Sequence, residues 1–213
     1  MFLRTGLNIF SYFLVNYKPQ FMSKKDARFM RLAYNIGLKS SINIRHGCVA
    51  VLNGKVIAKG FNHERCFSSD GFIQQTWCCH AEIDALRKLC YSVAGVSDTS
   101  GVFLPGEKKV AKLLSKVTLY VARVPGSEAD QHQYQHQLAS KSSAPCTSCM
   151  HTLRALGIKH VAFISKSSEF VKCRPSEYDN ADLHDTAGRR SWIKKVGMPS
   201  IPDMSYVKIC RRI

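Results

Sequence analysis

Two short segments place metal-binding side chains at the start of predicted helices, and they constrain the fold more than any other feature. The first is "CCHAEIDAL", residues 78–86, where a His and a Glu open a helical pattern. The second is "PCTSCMHTLRAL", residues 145–156, where two cysteines are three positions apart. Side chains at this spacing share one face of a helix, so Cys146 and Cys149 can bind the same ion.

Together the two segments supply the ligands of a catalytic zinc ion. Zinc commonly binds Cys and His, and a catalytic zinc has three protein ligands and one open position for water. We therefore assign His80, Cys146 and Cys149 as ligands, which leaves a neutral site where water ionises near pH 7. Glu82 is not needed as a ligand and is assigned as the catalytic group that moves protons to the substrate. A purely structural zinc site is the alternative, but it leaves Glu82 without a task.

Length, charge and cysteine content limit the class of protein. A chain of 213 residues, 45% of them hydrophobic, can bury a core in one domain. Lys and Arg outnumber Asp and Glu by 31 to 15, which gives a net charge of +16. Such a charge either attracts the phosphates of a nucleotide or nucleic acid or serves only to keep the protein soluble. Nine cysteines, an odd number with short spacings, argue against a secreted disulfide framework and for a cytoplasmic or other reduced compartment.

The hydrophobic pattern alternates between strands and helices. The predicted strands are 48–52, 55–61, 116–124, 159–165 and 169–174, the first two joined by an Asn-Gly hairpin signal. The predicted helices are one capped by Ser23, one over 80–90, a short one near 110–114, and one over 145–156. The turn at 165–168 is too short for a crossover helix, so the last strand should return antiparallel. We predict an α/β fold, a three-layer α/β/α sandwich with a mixed sheet of about five strands.

The ends of the chain are predicted to lie outside the main domain, which covers residues 22–174. Residues 1–21 contain no acid and are too short and too polar to span a membrane. Three interpretations are open: a mitochondrial-type presequence, a membrane-surface helix, or residues added by a translation start upstream of Met22. We favour the last. Residues 175–213 are predicted to form a C-terminal extension that packs on the domain.

His-x-Glu followed by Pro-Cys-x-x-Cys is the signature of zinc deaminases. Over about residues 44–165 the chain resembles the cytidine and deoxycytidylate deaminase family, which also includes tRNA adenosine deaminases and nucleic-acid cytosine editors. The resemblance implies the cytidine deaminase-like fold, zinc as cofactor and frequent assembly into homo-oligomers. The chain departs from the family pattern by insertions near 91–115 and 125–143, the second expected beside the pocket.

Three further residues are candidates for substrate binding. Asn62 stands where the family places an Asn that holds the nucleoside, although a turn would also favour Asn. Arg123 resembles an Arg of viral and eukaryotic relatives that would contact phosphate; otherwise it is an exposed strand residue. Trp77 either stacks on the base or packs into the core. By the same resemblance, a second zinc site is an option for Cys66, Cys78 and Cys79.

The resemblance and these residues predict a zinc-dependent hydrolytic deaminase. Its expected substrate is the cytosine base of a free nucleoside or nucleotide, cytidine, deoxycytidine or a monophosphate, converted to the uracil form. In the family an antiparallel fifth strand accompanies nucleoside enzymes, and a parallel one accompanies tRNA, deoxycytidylate and editing types. The basic charge favours a first alternative, an editing deaminase acting on RNA or single-stranded DNA. A non-catalytic nucleic-acid-binding protein with structural zinc is the second alternative.

Overall fold

The computed structural model describes residues 21–68, 72–73, 76–94, 107–124, 142–178, 184–186 and 190. Within these, one five-stranded sheet has the order β2-β1-β3-β4-β5. The strands are β1 His46–Leu52, β2 Lys55–Phe61, β3 Thr118–Arg123, β4 His160–Ile164 and β5 Phe170–Cys173. The helices are α1 Lys24–Gly37, α2 Ala81–Ala94, α3 Glu107–Leu114 and α4 Thr147–Ala155, and a 3-10 turn follows at Pro175–Glu177.

The sheet is mixed, as predicted. The hairpin between β1 and β2 turns at Asn53 and Gly54, whose φ angles of 49° and 78° are those of a turn that needs two left-handed residues. On its other edge β1 pairs antiparallel with β3, and β3 pairs parallel with β4. The last strand, β5, returns antiparallel from β4, so the predicted hairpin at this end of the sheet is confirmed.

Helices cover both faces of the sheet. Side chains alternate between faces along a strand, so Cys48 and Ala50 of β1 pack under α2 and α4, while Val49 and Val51 pack under α1. We call these the α2–α4 face and the α1 face. Each has its own apolar cluster, with Leu86, Met150 and Leu153 on the first and Phe29, Met30 and Tyr120 on the second. The predicted three-layer α/β/α arrangement is therefore confirmed.

Two glycines allow the helices to approach the sheet closely. A Cβ at Gly60 in β2 would overlap the backbone nitrogen of Ala85 in α2. A Cβ at Gly47 in β1 would overlap the carbonyl oxygen of Ala33 in α1. Because any side chain would force these elements apart, Gly60 determines how near the start of α2 lies to the sheet.

The ends of the chain are only partly described. Helix α1 begins as predicted, with the Ser23 hydroxyl accepting a hydrogen bond from the Asp26 amide at 3.1 Å. The short helix α3 lies in the predicted insertion at 91–115, whereas residues 1–20, most of 125–143 and most of 175–213 fall outside the described residues. In the described part of the chain, no helix combines the length and the apolar character that crossing a membrane requires.

Candidate metal centre

The start of α2 carries His80 and Glu82 and is anchored to β2 by Asp84. The buried Asp84 carboxylate accepts hydrogen bonds from the amide of Phe61 at 3.1 Å and from Lys88 at 2.6 Å. The residues just before the helix are held as well, since His63 and Cys79 exchange two backbone hydrogen bonds of 3.1 and 2.9 Å. The position of His80 thus follows from the way α2 and its preceding loop attach to the end of β2.

The start of α4 is positioned by Ser143, three residues before Cys146. The buried Ser143 hydroxyl donates to the carbonyl oxygen of Val121 in β3 at 2.7 Å and accepts from the amide of Ile164 in β4 at 3.0 Å. Its own amide donates to the Ile164 carbonyl oxygen at 2.8 Å. The chain therefore leaves the parallel pair β3 and β4 at a defined point, and Cys146 becomes the N-cap residue of α4.

The two helix starts bring His80, Cys146 and Cys149 together. Nδ1 of His80 lies 3.2 Å from Sγ of Cys149 and 3.3 Å from Sγ of Cys146, and all three ligand atoms lie within 4.8 Å of one another. Tetrahedral zinc with Zn–S and Zn–N bonds of ordinary length separates such atoms by about 3.5 to 3.8 Å. The cluster has the donor set and nearly the spacing of a zinc site, so the residues fit the ion.

The electrostatic surroundings favour a thiolate at Cys146. Its hydrogen bond with Cys149 and the neighbouring imidazole of His80 lower the pKa of the Cys146 thiol well below its usual value. The free amide groups at the start of α4 act in the same direction, because a helix N-terminus attracts negative charge. Deprotonated sulfur is the form that binds zinc.

Glu82 lies in the first turn of α2, two residues after His80, and only 5% of it is exposed. Burial raises the pKa of its carboxyl group, although the positive charge of a protonated His80 and a hydrogen bond with Cys149 act in the opposite direction. A buried carboxyl group with a raised pKa beside a metal cluster is suited to accept and return a proton. The structure thus places Glu82 beside the three predicted ligands.

Asn62, predicted to hold the nucleoside, lies directly after β2 and is buried. Its side-chain oxygen accepts from the amide of His46 at 2.7 Å, and its side-chain nitrogen donates to the carbonyl oxygen of Ile44 at 2.7 Å. An Asn side chain has two lone pairs and two N–H groups, so one of each is left after these contacts. The contacts give Asn62 a structural task, holding the segment that leads into β1.

Arg123 and Trp77 lie at the edges of the site. Arg123 ends β3 and is half-buried, and its cross-strand partner in β1 is His46. Trp77 is 51% exposed, so the prediction that it packs into the core is wrong. Stacking on a base stays a prediction.

Cys66, Cys78 and Cys79 do not form a second metal cluster in the structure. Among the described residues the one group of three candidate ligands with close donor atoms is His80, Cys146 and Cys149. Cys66 is exposed, and the thiol of the buried Cys79 lies 3.4 Å from the carbonyl oxygen of His80. These contacts give no support to a second zinc site.

Sequence reasoning missed two histidines near the site. His46 lies on the same face of β1 as Cys48, and strand alternation is the signal that would have found it. His184, beyond the predicted domain, reaches the start of α4, where its carbonyl oxygen accepts from the amide of Thr147 at 3.0 Å. Its buried Nδ1 has no hydrogen-bond partner among the described residues. No local pattern predicts this contact, because it joins segments that are far apart in the chain.

Comparisons with known proteins found one matching family model and several similar solved structures. The family model for the cytidine and deoxycytidylate deaminase zinc-binding region matches residues 23–165. The structure is similar to a cytidine deaminase from Burkholderia pseudomallei, with 19% identity, a TM-score of 0.43, and coverage of 71% of this chain and 93% of that one. It is also similar to a dCMP deaminase from cyanophage S-TIM5 in complex with dCMP and dUMP, with 19% identity, a TM-score of 0.35, and coverage of 63% and 76%. A search of curated proteins found no match.

The family match covers more than half of the chain and includes both metal-binding segments. Its zinc-binding description agrees with the donor set that the structure brings together at the starts of α2 and α4. The chain therefore belongs to the family of the cytidine and deoxycytidylate deaminase zinc-binding region.

Proposed function

We propose that the protein is a hydrolytic deaminase that converts the cytosine base of a free nucleoside or nucleotide to uracil. The observation that carries this proposal is the buried carboxyl group of Glu82 beside the cluster of His80, Cys146 and Cys149. A zinc ion held only for structure needs no buried acid at its side. A deaminase needs one, because protons must pass from water to the base and to the departing amine.

The residues divide the chemistry between them. His80, Cys146 and Cys149 would hold zinc, which lowers the pKa of a water molecule to about 7. Glu82 accepts a proton from the attacking water, whose oxygen bonds to the ring carbon that carries the amine. Glu82 donates this proton to the ring nitrogen, takes the second proton from the oxygen now bonded to the ring carbon and passes it to the amine, so that the carbon–nitrogen bond breaks, ammonia leaves and the carbonyl group forms. One water molecule is consumed for each ammonia released.

The topology of the last strand supports a small substrate. In the family that the chain resembles, an antiparallel fifth strand accompanies enzymes of free nucleosides, and β5 is antiparallel to β4. Homo-oligomer formation and a reduced compartment stay predictions, as do the domain boundaries at 22 and 174.

Ammonia release tests the proposal directly. Zinc-loaded protein is incubated in parallel with cytidine, deoxycytidine, their monophosphates, adenosine, single-stranded DNA and tRNA. We expect turnover of at least one cytosine monomer and none of adenosine. Deamination of a polymer with inert monomers would contradict the proposed substrate class.

The editing alternative keeps some support from two observations. The net charge of +16 exceeds what a nucleoside requires. Two aromatic side chains of the loop before α2, Phe67 and Trp77, are 63% and 51% exposed, as in surfaces that stack single-stranded bases. The polymer arms of the assay decide this alternative, and salt-dependent nucleic-acid binding without ammonia release would favour a non-catalytic protein instead.

A further inference from the structure

The part of the chain that follows the last strand is bound to α4 at both ends of that helix. In the last turn of α4, the Arg154 guanidinium group donates to the carbonyl oxygens of Pro175 at 2.7 Å and of Tyr178 at 2.6 Å. At the start of α4, the amide of Thr147 donates to the carbonyl oxygen of His184 at 3.0 Å. These two parts of the C-terminal extension are called the strap, residues 175–178 and 184–186.

Both parts of the strap have contacts that hold them in place. The ring of Tyr178 packs edge-on against Phe163, a core residue of the α2–α4 face, with the ring centroids 5.5 Å apart. Near the start of α4, the amide of Arg190 donates to the carbonyl oxygen of Thr186 at 3.0 Å, and its guanidinium group donates to that of Asp185. The strap is therefore anchored in the core at one end and tied into a turn at the other.

The strap is bound one residue away from a metal ligand. Thr147 is the first residue of α4 and directly follows the buried Cys146. The amide of a first helical residue has no partner inside its own helix, so His184 supplies a hydrogen bond that α4 cannot. On the other side of Cys146, the Ser143 hydroxyl is bound to β3 and β4. The backbone around Cys146 is therefore fixed by the sheet on one side and by the strap on the other.

The half-buried ring of His184 lies near Cys146. Its Nδ1 is buried and has no hydrogen-bond partner in the described part of the chain. Burial lowers the pKa of His184, whereas the negative charge of a Cys146 thiolate acts in the opposite direction, which places the ring within reach of that charge. His184 is not itself a ligand, since the close group of donor atoms among the described residues consists of His80, Cys146 and Cys149. A ring beside a ligand keeps water away from it.

We propose that the strap belongs to the metal centre and slows the loss of zinc: the carbonyl oxygen of His184 fixes the first turn of α4, and the His184 ring covers Cys146. His184 is thus a positioning residue, which acts through Cys146 and not on the substrate. The proposal rests on the zinc site of the proposed function and is independent of the substrate. It gives a role in the site to a part of the chain that carries neither metal-binding segment.

Thr147→Pro, compared with Thr147→Ala, tests the backbone contact. Proline has no N–H group and is tolerated as the first residue of a helix, and the extended backbone of Cys146, with a ψ angle of 167°, is compatible with a following proline. Thr147→Pro should therefore keep α4 and lose the hydrogen bond to His184. Zinc release into excess EDTA, followed by metal analysis of the protein, should be about 10-fold faster than in Thr147→Ala, which keeps the N–H group. Equal release rates would overturn the contact.

Arg154→Gln tests the strap at the end of α4 that is away from the metal ligands. It removes the hydrogen bonds to Pro175 and Tyr178, and we expect zinc release to be about 3- to 10-fold faster because the strap is no longer anchored. Arg174→Gln is the matched control, since Arg174 is exposed and pairs with the exposed Glu177 at 3.5 Å. Zinc release that is unchanged in Arg154→Gln, or equally fast in both variants, would overturn the role of the strap.

Hydrogen exchange of the Thr147 amide measures the same contact without a chelator. The first amides of a helix exchange readily when only water binds them, so slow exchange in the wild type requires the carbonyl oxygen of His184. We expect exchange to be about 10-fold faster in Arg154→Gln, because the strap then leaves α4 more often. Exchange in the wild type as fast as that of an unprotected amide would overturn the proposal.

His184→Ala tests the ring, because it removes the imidazole and keeps the carbonyl oxygen. Zinc release should be about 3- to 10-fold faster than in the wild type, whereas His184→Phe, which keeps a ring of similar size, should stay within about twofold. Equal rates in all three proteins would mean that the ring does not cover Cys146.

The outcomes separate the strap from the proposed function. A wild type that retains zinc and releases no ammonia from any substrate would contradict the deaminase, while the rates of zinc release and hydrogen exchange still decide the strap. With zinc added in excess, Arg154→Gln should release ammonia within about twofold of the wild-type rate, because the strap acts on the retention of the metal. Activity that excess zinc does not restore would mean that the substitution disturbs α4 itself, and would overturn the assignment of its effect to the strap.

Discussion

Asp26 and Glu82 are both buried carboxyl groups in the first turn of a helix, but they lie on opposite faces of the sheet. On the α1 face, Asp26 accepts hydrogen bonds from Tyr120 at 2.6 Å, from Lys172 at 2.7 Å and from Ser23 at 2.7 Å. On the α2–α4 face, Glu82 lies beside metal ligands and has fewer donors. Burial tends to raise both pKa values, yet that of Asp26 is lowered by its partners whereas that of Glu82 is raised.

The difference separates a structural carboxylate from one that is available for chemistry. Hydrogen bonds from Tyr120, Lys172 and Ser23 favour ionised Asp26, so its network links the start of α1 to β3 and β5. Glu82 has hydrogen bonds with its own backbone and with Cys149, but burial outweighs them and its pKa stays raised. A buried carboxyl group with a raised pKa beside candidate metal ligands is a candidate for proton transfer.

The largest effect is expected at the metal ligands. Cys146→Ser or Cys149→Ser removes a thiolate, so zinc should be lost and with it the stabilisation that binding supplies, about 4 kcal/mol or more at saturating metal. Metal analysis and thermal unfolding measure both. Cys66→Ser, at an exposed cysteine, is the matched control and should keep one zinc per chain. Well-folded wild-type protein that contains no zinc would contradict the assignment of Cys146 and Cys149 as metal ligands.

Glu82→Gln should abolish turnover and leave the fold intact. The amide has the same shape but cannot carry protons, so kcat should fall by about 100- to 10,000-fold while zinc remains bound. Because burial disfavours ionised Glu82, the midpoint of thermal unfolding should not fall. Glu169→Gln, at an exposed acid in the turn before β5, is the control. Activity that survives in Glu82→Gln would assign the proton transfer to another residue.

Asp26→Asn should have the opposite pattern. It leaves Lys172 without its acid, and we expect the free energy of unfolding to fall by about 1 to 3 kcal/mol with kcat/KM nearly unchanged. Since the folded pKa of Asp26 lies below its ordinary value of 3.8, the ionised form stabilises the protein above about pH 4, and this contribution is lost as the pH falls further. Denaturant unfolding of wild type and variant at pH 7 and pH 3 measures this contribution to the free energy of unfolding. If the difference in the free energy of unfolding between wild type and variant were as large at pH 3 as at pH 7, stabilisation by ionised Asp26 would be contradicted.

The smallest effect is expected at Trp77. On the α1 face the rings of Phe29 and Tyr120 are buried with centroids 5.1 Å apart, whereas Trp77 on the other side is 51% exposed. Trp77→Leu should therefore change the free energy of unfolding by less than about 1 kcal/mol. If the indole stacks on the base, KM rises about fivefold, and Phe21→Leu, at an exposed aromatic residue before α1, serves as control. An unchanged KM would remove Trp77 from the pocket.

Much of the local structure could be predicted because its causes are local. Ser23 caps α1 through a residue three positions away, and Asn53-Gly54 turns because both residues tolerate positive φ. Cys146 and Cys149 lie on one helical turn, so their pairing follows from spacing alone. The exposure of Trp77 could not be predicted in this way, since an aromatic residue before a helix is equally compatible with packing into a core.

The sequence by itself determined the element order, the antiparallel return of β5 and the set of side chains that can bind zinc, because these depend on periodicity, turn chemistry and residue type over short distances. Only the tertiary structure decided that His46 lies opposite Arg123, that His184 reaches the start of α4, and that Asp26 is paired with Lys172 while Glu82 lies beside the metal ligands. Those contacts join segments far apart in the chain. They depend on strand register and helix packing, which are set by the free energy of the whole core and not by any one segment.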